Sequence, residues 1–248
     1  MDKSQVIILA GGLGKRMNSH DIPKALVPLN GRPIIEYLID SIKTSGVSTR
    51  PVIVVGKLAD KVKATLGDGY DYIFQPEQLG TGHAVMVCRD QLQDQAENVL
   101  VLYCDHPLVS AQTIKKIFDT HVREGRVLTM ATSIVADFEA WRVPFYDFGR
   151  VIRSKSNEII GIVEKKDASP DQLSIKEVNP SYLCFKADWL WSSLELLKNN
   201  NNQHEYYLTD LVDIAFKQNQ SIASVQIDSK EALGVNSQEQ LDLISKVF

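Results

Sequence analysis

The sequence has few of the features that mark secreted or membrane proteins. Its 248 residues include only three cysteines, Cys88, Cys104 and Cys184, which are widely separated and form no Cys-x-x-Cys pair. We therefore expect buried free thiols in a reducing compartment. No apolar run approaches the ~20 residues that a helix needs to cross a bilayer, so we expect no membrane-spanning helix.

An excess of positive charge is also missing. The formal net charge is −4, which argues against a nucleic-acid partner, because binding to such a polyanion needs a basic face. A nucleotide ligand is not excluded, since one local cluster of arginine and lysine is enough to hold it. Residues 1–5 lead directly into an apolar run and do not resemble a signal peptide. We therefore expect a soluble, cytoplasmic protein without membrane contacts.

A glycine-rich loop follows the first predicted strand. That strand is the apolar run 6–9, and the segment 9–17 reads Leu-Ala-Gly-Gly-Leu-Gly-Lys-Arg-Met, with Pro23-Lys24 shortly after it. Glycines let a backbone turn sharply and approach a ligand, and the N–H groups of such a loop form a concave anion site. Arg16 and Lys24 add full positive charges. The loop indicates a polyphosphate site, with an ordinary turn between a strand and a helix as the alternative.

Two well-known phosphate loops do not fit this segment. A P-loop requires Gly-Lys-Ser/Thr, whereas Arg16 follows Gly14-Lys15. A dinucleotide fingerprint requires a third glycine where Met17 stands. It also requires a carboxylate after the second strand, where Val54-Val55-Gly56 offers none. The pattern therefore argues against a dehydrogenase.

Predicted strands and helices alternate along the first half of the chain. The strands are 6–9, 51–55, 70–74 and 99–103, and the helices are 33–44, 58–66, 80–92 and one capped by Ser110. This alternation predicts an α/β fold, a Rossmann-like open and mostly parallel twisted sheet flanked by helices. The fully apolar strand 99–103 suits the centre of a parallel sheet.

The second half of the chain is less regular, and no change of composition separates it from the first. We expect strands at 127–135 and 222–227, an irregular aromatic segment at 137–148, a hairpin of 149–153 and 159–164 turning at Asn157, extended chain at 175–185, a polar loop at 199–202, and helices at 187–197, 208–216 and 238–247. The whole chain is therefore interpreted as one domain that includes a smaller mixed β lobe.

Two polar side chains follow predicted strands at the edge where open sheets bind ligands. Asp105 ends the apolar strand, where a carboxylate must be solvated, paired or bound to a metal, and we favour a magnesium ligand over a turn cap. Gln75 carries an amide that matches uracil or, flipped, cytosine, with a solvated loop glutamine as the alternative. His83, which follows Gly80-Thr81-Gly82, is interpreted as a packed residue that orients the loop.

Together these segments resemble the sugar nucleotidyltransferase family. The glycine loop matches the family's N-terminal signature, Leu-Ala-x-Gly-x-Gly-x-Arg-Met followed by Pro-Lys, at every fixed position. The segment 77–84 resembles the uracil-binding segment in the N-terminal pyrophosphorylase (uridylyltransferase) half of bacterial bifunctional N-acetylglucosamine-1-phosphate uridylyltransferase/glucosamine-1-phosphate acetyltransferases. Further matching segments, 103–108, 148–150, 162–168, 177–179, 205–210 and 234–236, follow in that family's order.

The resemblance implies a role for each matching residue. It gives catalytic roles to Arg16, Lys24 and Asp105, with Arg16 and Lys24 on the phosphates. It implies that Asp105 and Asn236 are the ligands of Mg²⁺. The implied nucleotide-binding residues are Leu9, Ala10, Gly11, Gly12, Gly14, Lys24, Gln75, Gln78, Gly80 and Thr81, and the implied sugar-binding residues are Tyr103, Gly149, Glu164, Asn179, Tyr207 and Thr209. Arg150 and the pair Lys165-Lys166, interpreted as exposed basic residues, could assist or be merely solvated.

The implied reaction is Mg²⁺-dependent transfer of UMP from UTP to a sugar 1-phosphate, with N-acetylglucosamine 1-phosphate as the expected acceptor. Residues 1–135 would form the nucleotide-binding half and 136–248 the sugar-binding half of a single domain, without the family's C-terminal β-helix acetyltransferase domain. Cys104, Pro180-Ser181 and the long segment 137–148 depart from the family pattern. The alternatives are a same-fold cytidylyltransferase, an enzyme acting on another sugar phosphate or on phosphocholine, and a catalytically silent nucleotide-binding or sugar-binding protein.

Overall fold

A ten-stranded sheet lies at the centre of the part of the chain that the computed structural model describes, residues 4–12 and 22–247. In chain order, the strands of these residues are β1 (Ser4–Ala10), β2 (Pro28–Leu29), β3 (Arg32–Pro33), β4 (Val52–Val55), β5 (Asp71–Phe74), β6 (Asn98–Tyr103), β7 (Leu128–Ile134), β8 (Gly149–Arg153), β9 (Ile159–Val163), β10 (Glu177–Asn179), β11 (Leu183–Lys186) and β12 (Ala223–Gln226). Strands β2 and β3 form a separate two-stranded sheet.

Helices cover the large sheet. They are α1 (Ile34–Ser45), α2 (Ala59–Leu66), α3 (Thr81–Met86), α4 (Arg89–Leu92), α5 (Ala111–Glu124), α6 (Pro170–Leu173), α7 (Ala187–Ser193), α8 (Asp210–Lys217) and α9 (Gln238–Val247), with 3-10 helices at Lys24–Leu26, Ala140–Asp147, Leu194–Leu196 and Ser229–Ala232. The predicted alternation of strands and helices in the first half is confirmed.

The strand order is β5-β4-β1-β6-β11-β7-β10-β8-β9. Strand β12 pairs with β7 on the edge opposite β11. Strands β5, β4, β1 and β6 are parallel. Strand β11 runs antiparallel to both of its neighbours, and β10, β8 and β9 form an antiparallel extension. The open, mostly parallel sheet and the smaller mixed β lobe are therefore both present. Strand β6 has only one parallel neighbour, contrary to its expected position inside a parallel sheet.

The core lies on both faces of the sheet because its central strands are apolar throughout. In β1, Val6 and Ile8 face one hydrophobic layer, which includes residues of α1 and α5. Ile7 and Leu9 face the other layer, which includes residues of α3, α7 and α8. This two-sided burial explains why the strand sequence is a continuous apolar run instead of an alternating one.

Two helix boundaries follow directly from their end residues. Helix α1 ends at Gly46, whose φ of 72° is the left-handed conformation that glycine adopts without strain. Helix α5 begins at Ser110, whose side chain accepts a hydrogen bond from the backbone N–H of Thr113. Both were predicted from the sequence.

The expected helix over residues 80–92 is wrong as a continuous element, because the chain breaks between α3 and α4. The backbone N–H of Cys88 donates to Val85, one residue short of the α-helical partner. The Cys88 thiol donates instead to the carbonyl oxygen of Ala84, at 3.4 Å. All three cysteines are buried free thiols, as expected.

The aromatic segment 137–148, expected to be irregular, contains the 3-10 helix Ala140–Asp147. Phe145 of this segment is fully buried. Within the described ranges, no helix combines the length and the apolar character needed to cross a membrane.

Candidate active site

Two cavities meet at the carboxyl end of β6. The first, of about 280 Å³, is lined by Leu9, Gly11, Gly12, Lys24, Gln75, Gln78, Gly80, Thr81, Ala84, Tyr103, Cys104, Asp105 and Glu205. The second, of about 290 Å³, is lined by Tyr103, Asp105, His106, Pro144, Asp147, Phe148, Gly149, Glu164, Asn179, Pro180, Ser181, Asn236 and Gln240. Tyr103 and Asp105 line both cavities, so ligands bound in the two would meet there.

The glycine loop forms one wall of the first cavity. A Cβ at Gly11 would lie 2.8 Å from the Gln75 Oε1 atom, and a Cβ at Gly56 would lie 2.6 Å from the Gly11 carbonyl oxygen. Side chains at these positions would collide with their neighbours, so glycine is what lets the loop pass close to Gln75. Ala10 is buried in β1 and does not line the cavity. Gly14 and Arg16 lie outside the described residues.

Lys24, Asp105 and Asn236 form a charged cluster at the junction of the cavities. The Lys24 ammonium donates to Asp105 Oδ2 and, at 2.7 Å, to Asn236 Oδ1. Lys24 begins a short 3-10 helix after the glycine loop. Asn236 is placed by its neighbour Val235, whose backbone N–H donates to the Asp105 carbonyl oxygen at 2.8 Å. Three distant segments therefore converge on one point.

The charge of Asp105 is maintained by this cluster. Burial alone would raise the pKa of its carboxyl group, but the charge and hydrogen bond of Lys24, with a smaller contribution from His106, lower it overall. His106 itself is buried, and burial lowers the pKa of its imidazole. At neutral pH the site therefore presents a carboxylate beside an uncharged histidine.

The cluster also has the geometry of a small cation site. Asp105 Oδ2 and Asn236 Oδ1 both point at one position, which the positively charged Lys24 nitrogen takes up. A carboxylate and an amide oxygen suit Mg²⁺, which usually takes few protein ligands and completes its shell with phosphate oxygens and water. Among the residues that the structure describes, no group of three or more His, Cys, Asp or Glu side chains could hold a metal. The residues therefore fit a metal held jointly with a phosphate ligand.

Gln75 is fixed at the floor of the first cavity. Only 5% of it is exposed, so it is not a solvated loop residue. Its Nε2 atom donates to the Gly80 carbonyl oxygen at 3.2 Å and lies 3.2 Å from His83 Nδ1. A carbonyl oxygen only accepts, so this contact sets the orientation of the amide and leaves Oε1 facing Gly11. His83 is thus hydrogen-bonded, as expected, and its role in orienting the loop stays a prediction.

The loop before α3 joins the two halves of the site. A Cβ at Gly80 would lie 2.6 Å from the Tyr206 carbonyl oxygen, and the φ of Gly80 is +104°. The Thr81 hydroxyl accepts a hydrogen bond from the backbone N–H of Leu208 at 3.0 Å. The Gln78 amide donates to the Gly11 carbonyl oxygen. These contacts hold segment 205–209 against residues 80–81 and join residue 78 of the same loop to Gly11.

The second cavity carries a carboxylate and an amide suited to hydroxyl groups. Gly149 and Asn179 are paired neighbours on β8 and β10. A Cβ at Gly149 would lie 3.2 Å from Glu164 Oε1, and the Thr209 hydroxyl donates to the same oxygen at 3.2 Å. Burial raises the pKa of Glu164, and the Thr209 hydrogen bond partly offsets this. Thr209 and Tyr207 line a third cavity of about 470 Å³, which also contains Thr81, Tyr103, Glu164 and Ser181.

Arg150 differs from the sequence interpretation, which grouped it with exposed basic residues. It is fully buried, and its guanidinium donates to the carbonyl oxygens of Phe148 and Tyr146 and lies 4.7 Å from the centre of the Phe138 ring. Arg150 therefore holds the aromatic segment together and is not directed at either of the first two cavities. Sequence reasoning also assigned no role to His106 or Gln240, which line the second cavity.

Comparison with known proteins agrees with this arrangement. Residues 6–205 match the model of the MobA-like NTP transferase domain. The chain belongs to the MobA-like NTP transferase family.

Curated relatives of this nucleotidyltransferase extend the match to the whole chain. The chain is 39% identical over 248 residues to the bifunctional protein GlmU of Thermoanaerobacter pseudethanolicus, covering 100% of the chain and 52% of the relative. It is 36% identical over 239 residues to bifunctional protein GlmU of Desulfotalea psychrophila, covering 95% of the chain and 68% of the relative. The chain thus spans about half the length of most of the curated relatives it matches.

Solved structures of sugar nucleotidyltransferases share the fold. One, from Bacillus anthracis, is assigned as a glucose-1-phosphate thymidylyltransferase in complex with sucrose; it has a TM-score of 0.76 at 19% identity and covers 98% of this chain and 94% of its own. Another is a UDP-glucose pyrophosphorylase complexed with UDP-glucose. It has a TM-score of 0.74 at 20% identity, and the match covers 100% of this chain and 98% of the neighbour's. The predicted nucleotidyltransferase fold is therefore confirmed.

Proposed function

We propose that this nucleotidyltransferase transfers UMP from UTP to a sugar 1-phosphate, with N-acetylglucosamine 1-phosphate as the preferred acceptor. The observation that carries the proposal is the convergence of Lys24, Asp105 and Asn236 where the two cavities meet. A nucleotide in the first cavity and a sugar phosphate in the second would bring their phosphates together at this point. The relatives named GlmU and the neighbour that binds UDP-glucose support the same substrates.

The first cavity suits a uracil base. With its Nε2 atom bonded to Gly80, Gln75 offers Oε1 as an acceptor, and uracil N3 carries the hydrogen that such an acceptor needs. Cytosine has no hydrogen on N3. The fixed amide therefore favours uracil, while a cytosine bound through its exocyclic amine is the alternative that the nucleotide assay below separates.

The second cavity suits a sugar. Glu164 supplies acceptor oxygens and Asn179 supplies amide hydrogens, and both are held by neighbours in defined orientations. Pro144 and Phe148 of the aromatic segment line the same cavity. We infer that this segment covers the acceptor sugar and limits the entry of water, because water would compete with the acceptor phosphate for the nucleotide.

In the proposed reaction, an oxygen of the acceptor phosphate bonds to the α-phosphorus of UTP. The bond from that phosphorus to the β-phosphate bridging oxygen breaks, and pyrophosphate leaves with the electron pair. A phosphate monoester has its second pKa at about 6 and is largely ionised at neutral pH, so no general base is needed. Catalysis then rests on alignment and on neutralisation of charge.

The residues of the cluster have separable tasks in this reaction. Lys24 offsets negative charge on the α-phosphate and on the departing pyrophosphate. Asp105 and Asn236 would hold Mg²⁺ through their side-chain oxygens, and when bound this ion neutralises phosphate charge. The lowered pKa of Asp105 keeps its carboxylate ionised for that role.

A substrate panel tests the proposal. Pyrophosphate release is measured with UTP, CTP, TTP or ATP, each combined with N-acetylglucosamine 1-phosphate, glucose 1-phosphate or phosphocholine. The expected result is release with UTP and a hexose 1-phosphate, abolished in Asp105→Asn. Preference for CTP or phosphocholine would replace the substrate assignment. No release in any combination by the folded protein would favour a catalytically silent binding protein.

A further inference from the structure

Ser181 adopts a left-handed backbone conformation in the turn between β10 and β11. Its φ is +67°, a region that glycine enters freely and that a residue with a Cβ enters at a cost in free energy. Residues held in such conformations persist only where their surroundings enforce them, and they cluster at ligand sites. The strain at Ser181 therefore calls for a local cause.

The turn is enforced by Asn179, the amide of the second cavity. The Ser181 backbone N–H donates to Asn179 Oδ1 at 2.9 Å, and Asn179 Nδ2 donates to the Ser181 hydroxyl at 3.3 Å. Asn179 is only 3% exposed. These two bonds fix which way the amide faces, and they use one of its two amide hydrogens. Ser181 thus determines what Asn179 can still offer to a ligand.

Ser181 also reaches the border between acceptor and nucleotide. It lines both the second and the third cavity. Its side chain interacts with the hydroxyl of Tyr103, which also interacts with Thr81 of the first cavity. A strained serine therefore stands between the group that would hold the sugar and the groups that would hold the nucleotide.

We propose that Ser181 is a specificity-determining residue that decides which hexose 1-phosphates the second cavity accepts. It does so by orienting the Asn179 amide and by filling space beside the ligand with its hydroxyl. One amide hydrogen of Asn179 is left for the ligand, and a site of this kind strongly rejects ligands that leave its polar groups unpaired. The inference rests on the proposed transfer to a sugar 1-phosphate and adds the residue that selects the sugar.

Two substitutions separate the hydroxyl from the backbone conformation. Ser181→Gly removes both the hydroxyl and the strain, whereas Ser181→Ala removes the hydroxyl alone. Asn219→Gly is the matched control, because Asn219 has a φ of +57° and lies after α8, where it lines none of the three site cavities. The kcat/KM values for N-acetylglucosamine, glucose and galactose 1-phosphates are measured for each protein with UTP.

The expected result is a change of about tenfold or more in the ratio of kcat/KM between two of these sugars in Ser181→Gly. The melting temperature should not fall, and the KM for UTP should stay within about twofold of the original. Ser181→Ala should shift the ratio in the same direction by less, and Asn219→Gly should leave it unchanged.

Binding of the sugar 1-phosphates is also measured for each protein, and the ratios of the dissociation constants are compared in the same way. Unchanged ratios in both Ser181 variants, with the fold intact, would overturn the proposal. A wild-type protein that binds the sugar phosphates but transfers no UMP would refute the proposed function instead. In that case the ratio of dissociation constants alone decides the role of Ser181.

Discussion

Replacing Lys24 by methionine tests the charge cluster in which the two cavities meet. The side chains of Lys24 and Asp105 are 15% and 13% exposed, so the ion pair is largely removed from water. Methionine keeps most of the apolar length of lysine but removes its charge. The Asp105 carboxylate then remains in the site without its main partner. Asn236 loses its hydrogen bond to the same ammonium, so nothing joins the two side chains.

The size of the effect follows from the burial of the pair. Removing one partner of a buried ion pair costs about 3–5 kcal/mol. Because the pair borders an open cavity, we expect the lower end, about 3 kcal/mol, which for a chain of this length corresponds to a fall in melting temperature of roughly 6–12 °C. The matched control is Lys115→Met, because the Lys115–Asp119 pair is 58% and 51% exposed and such pairs are worth less than about 1 kcal/mol.

Thermal unfolding is measured with EDTA and then with MgCl₂ and UTP. With EDTA, Lys24→Met should melt well below the wild type and below Lys115→Met. Magnesium added together with UTP should restore much of the loss in Lys24→Met, because Asp105 Oδ2 and Asn236 Oδ1 share one cation position beside the phosphates and a ligand that binds only the folded state stabilises it. Equal melting temperatures for the two variants in EDTA would refute the reasoning. So would an equal gain from magnesium with UTP in Lys24→Met and in Lys24→Met combined with Asp105→Asn.

Three further predictions follow from other parts of the site. Gly80→Ala should destabilise the fold by about 2–4 kcal/mol in denaturant unfolding, because its Cβ would meet the Tyr206 carbonyl oxygen at 2.6 Å. The control is Gly67→Ala, which has a φ of +75° but open space around the Cβ and should lose clearly less stability. Equal losses in the two variants would show that the contact with Tyr206 is not the cause. Burial, with repulsion from nearby carboxylates, raises the pKa of Asp210 to about 6. The folded state therefore binds this proton more tightly than the unfolded state, and stability falls as pH rises from about 4 to about 6. Asp210→Asn should then raise the free energy of unfolding by about 1 kcal/mol at pH 7, after allowance for partial exposure, and by almost nothing at about pH 3, where Asp210 is protonated in both states. The same gain at both pH values would be inconsistent with this. Glu164→Gln should lower kcat/KM for the sugar 1-phosphate by about 100-fold while the KM for UTP stays nearly constant, and a change confined to UTP would remove Glu164 from the acceptor site.

Much of the fold was predictable because its signals are local. The apolar run of β1, the stripe of α1 with Gly46 at its end, and the cap at Ser110 each depend on a few neighbouring residues. The positions of Gln75 and Asp105 followed as well, because both come directly after strands of one parallel sheet. The break between α3 and α4 was not predictable, since the residues around Cys88 carry no proline or other breaking signal, and the shift of the Cys88 N–H to the Val85 carbonyl oxygen is seen only in the folded chain.

The assembly of the site was beyond local patterns. Lys24 and Asn236 are 212 residues apart and meet only through the folded chain. The family resemblance paired Asn236 with Asp105, and nothing in the sequence paired it with Lys24. Arg150 was misjudged because an arginine is normally exposed, whereas here backbone carbonyls and aromatic rings surround it. The conformation of Ser181 was not predicted, because the usual sign of a positive φ is a glycine, which the family pattern has at this position and this sequence does not.

The most direct test of the proposed reaction follows the phosphorus atoms of UTP. The purified protein is incubated with Mg²⁺, N-acetylglucosamine 1-phosphate and UTP labelled with ³²P at either the α or the γ position. We expect the α label in a UDP-sugar and the γ label in pyrophosphate, in equal amounts, and neither product with Asp105→Asn. Transfer of the γ label to the sugar, or no labelled sugar from either nucleotide while the protein remains folded, would contradict the proposed reaction.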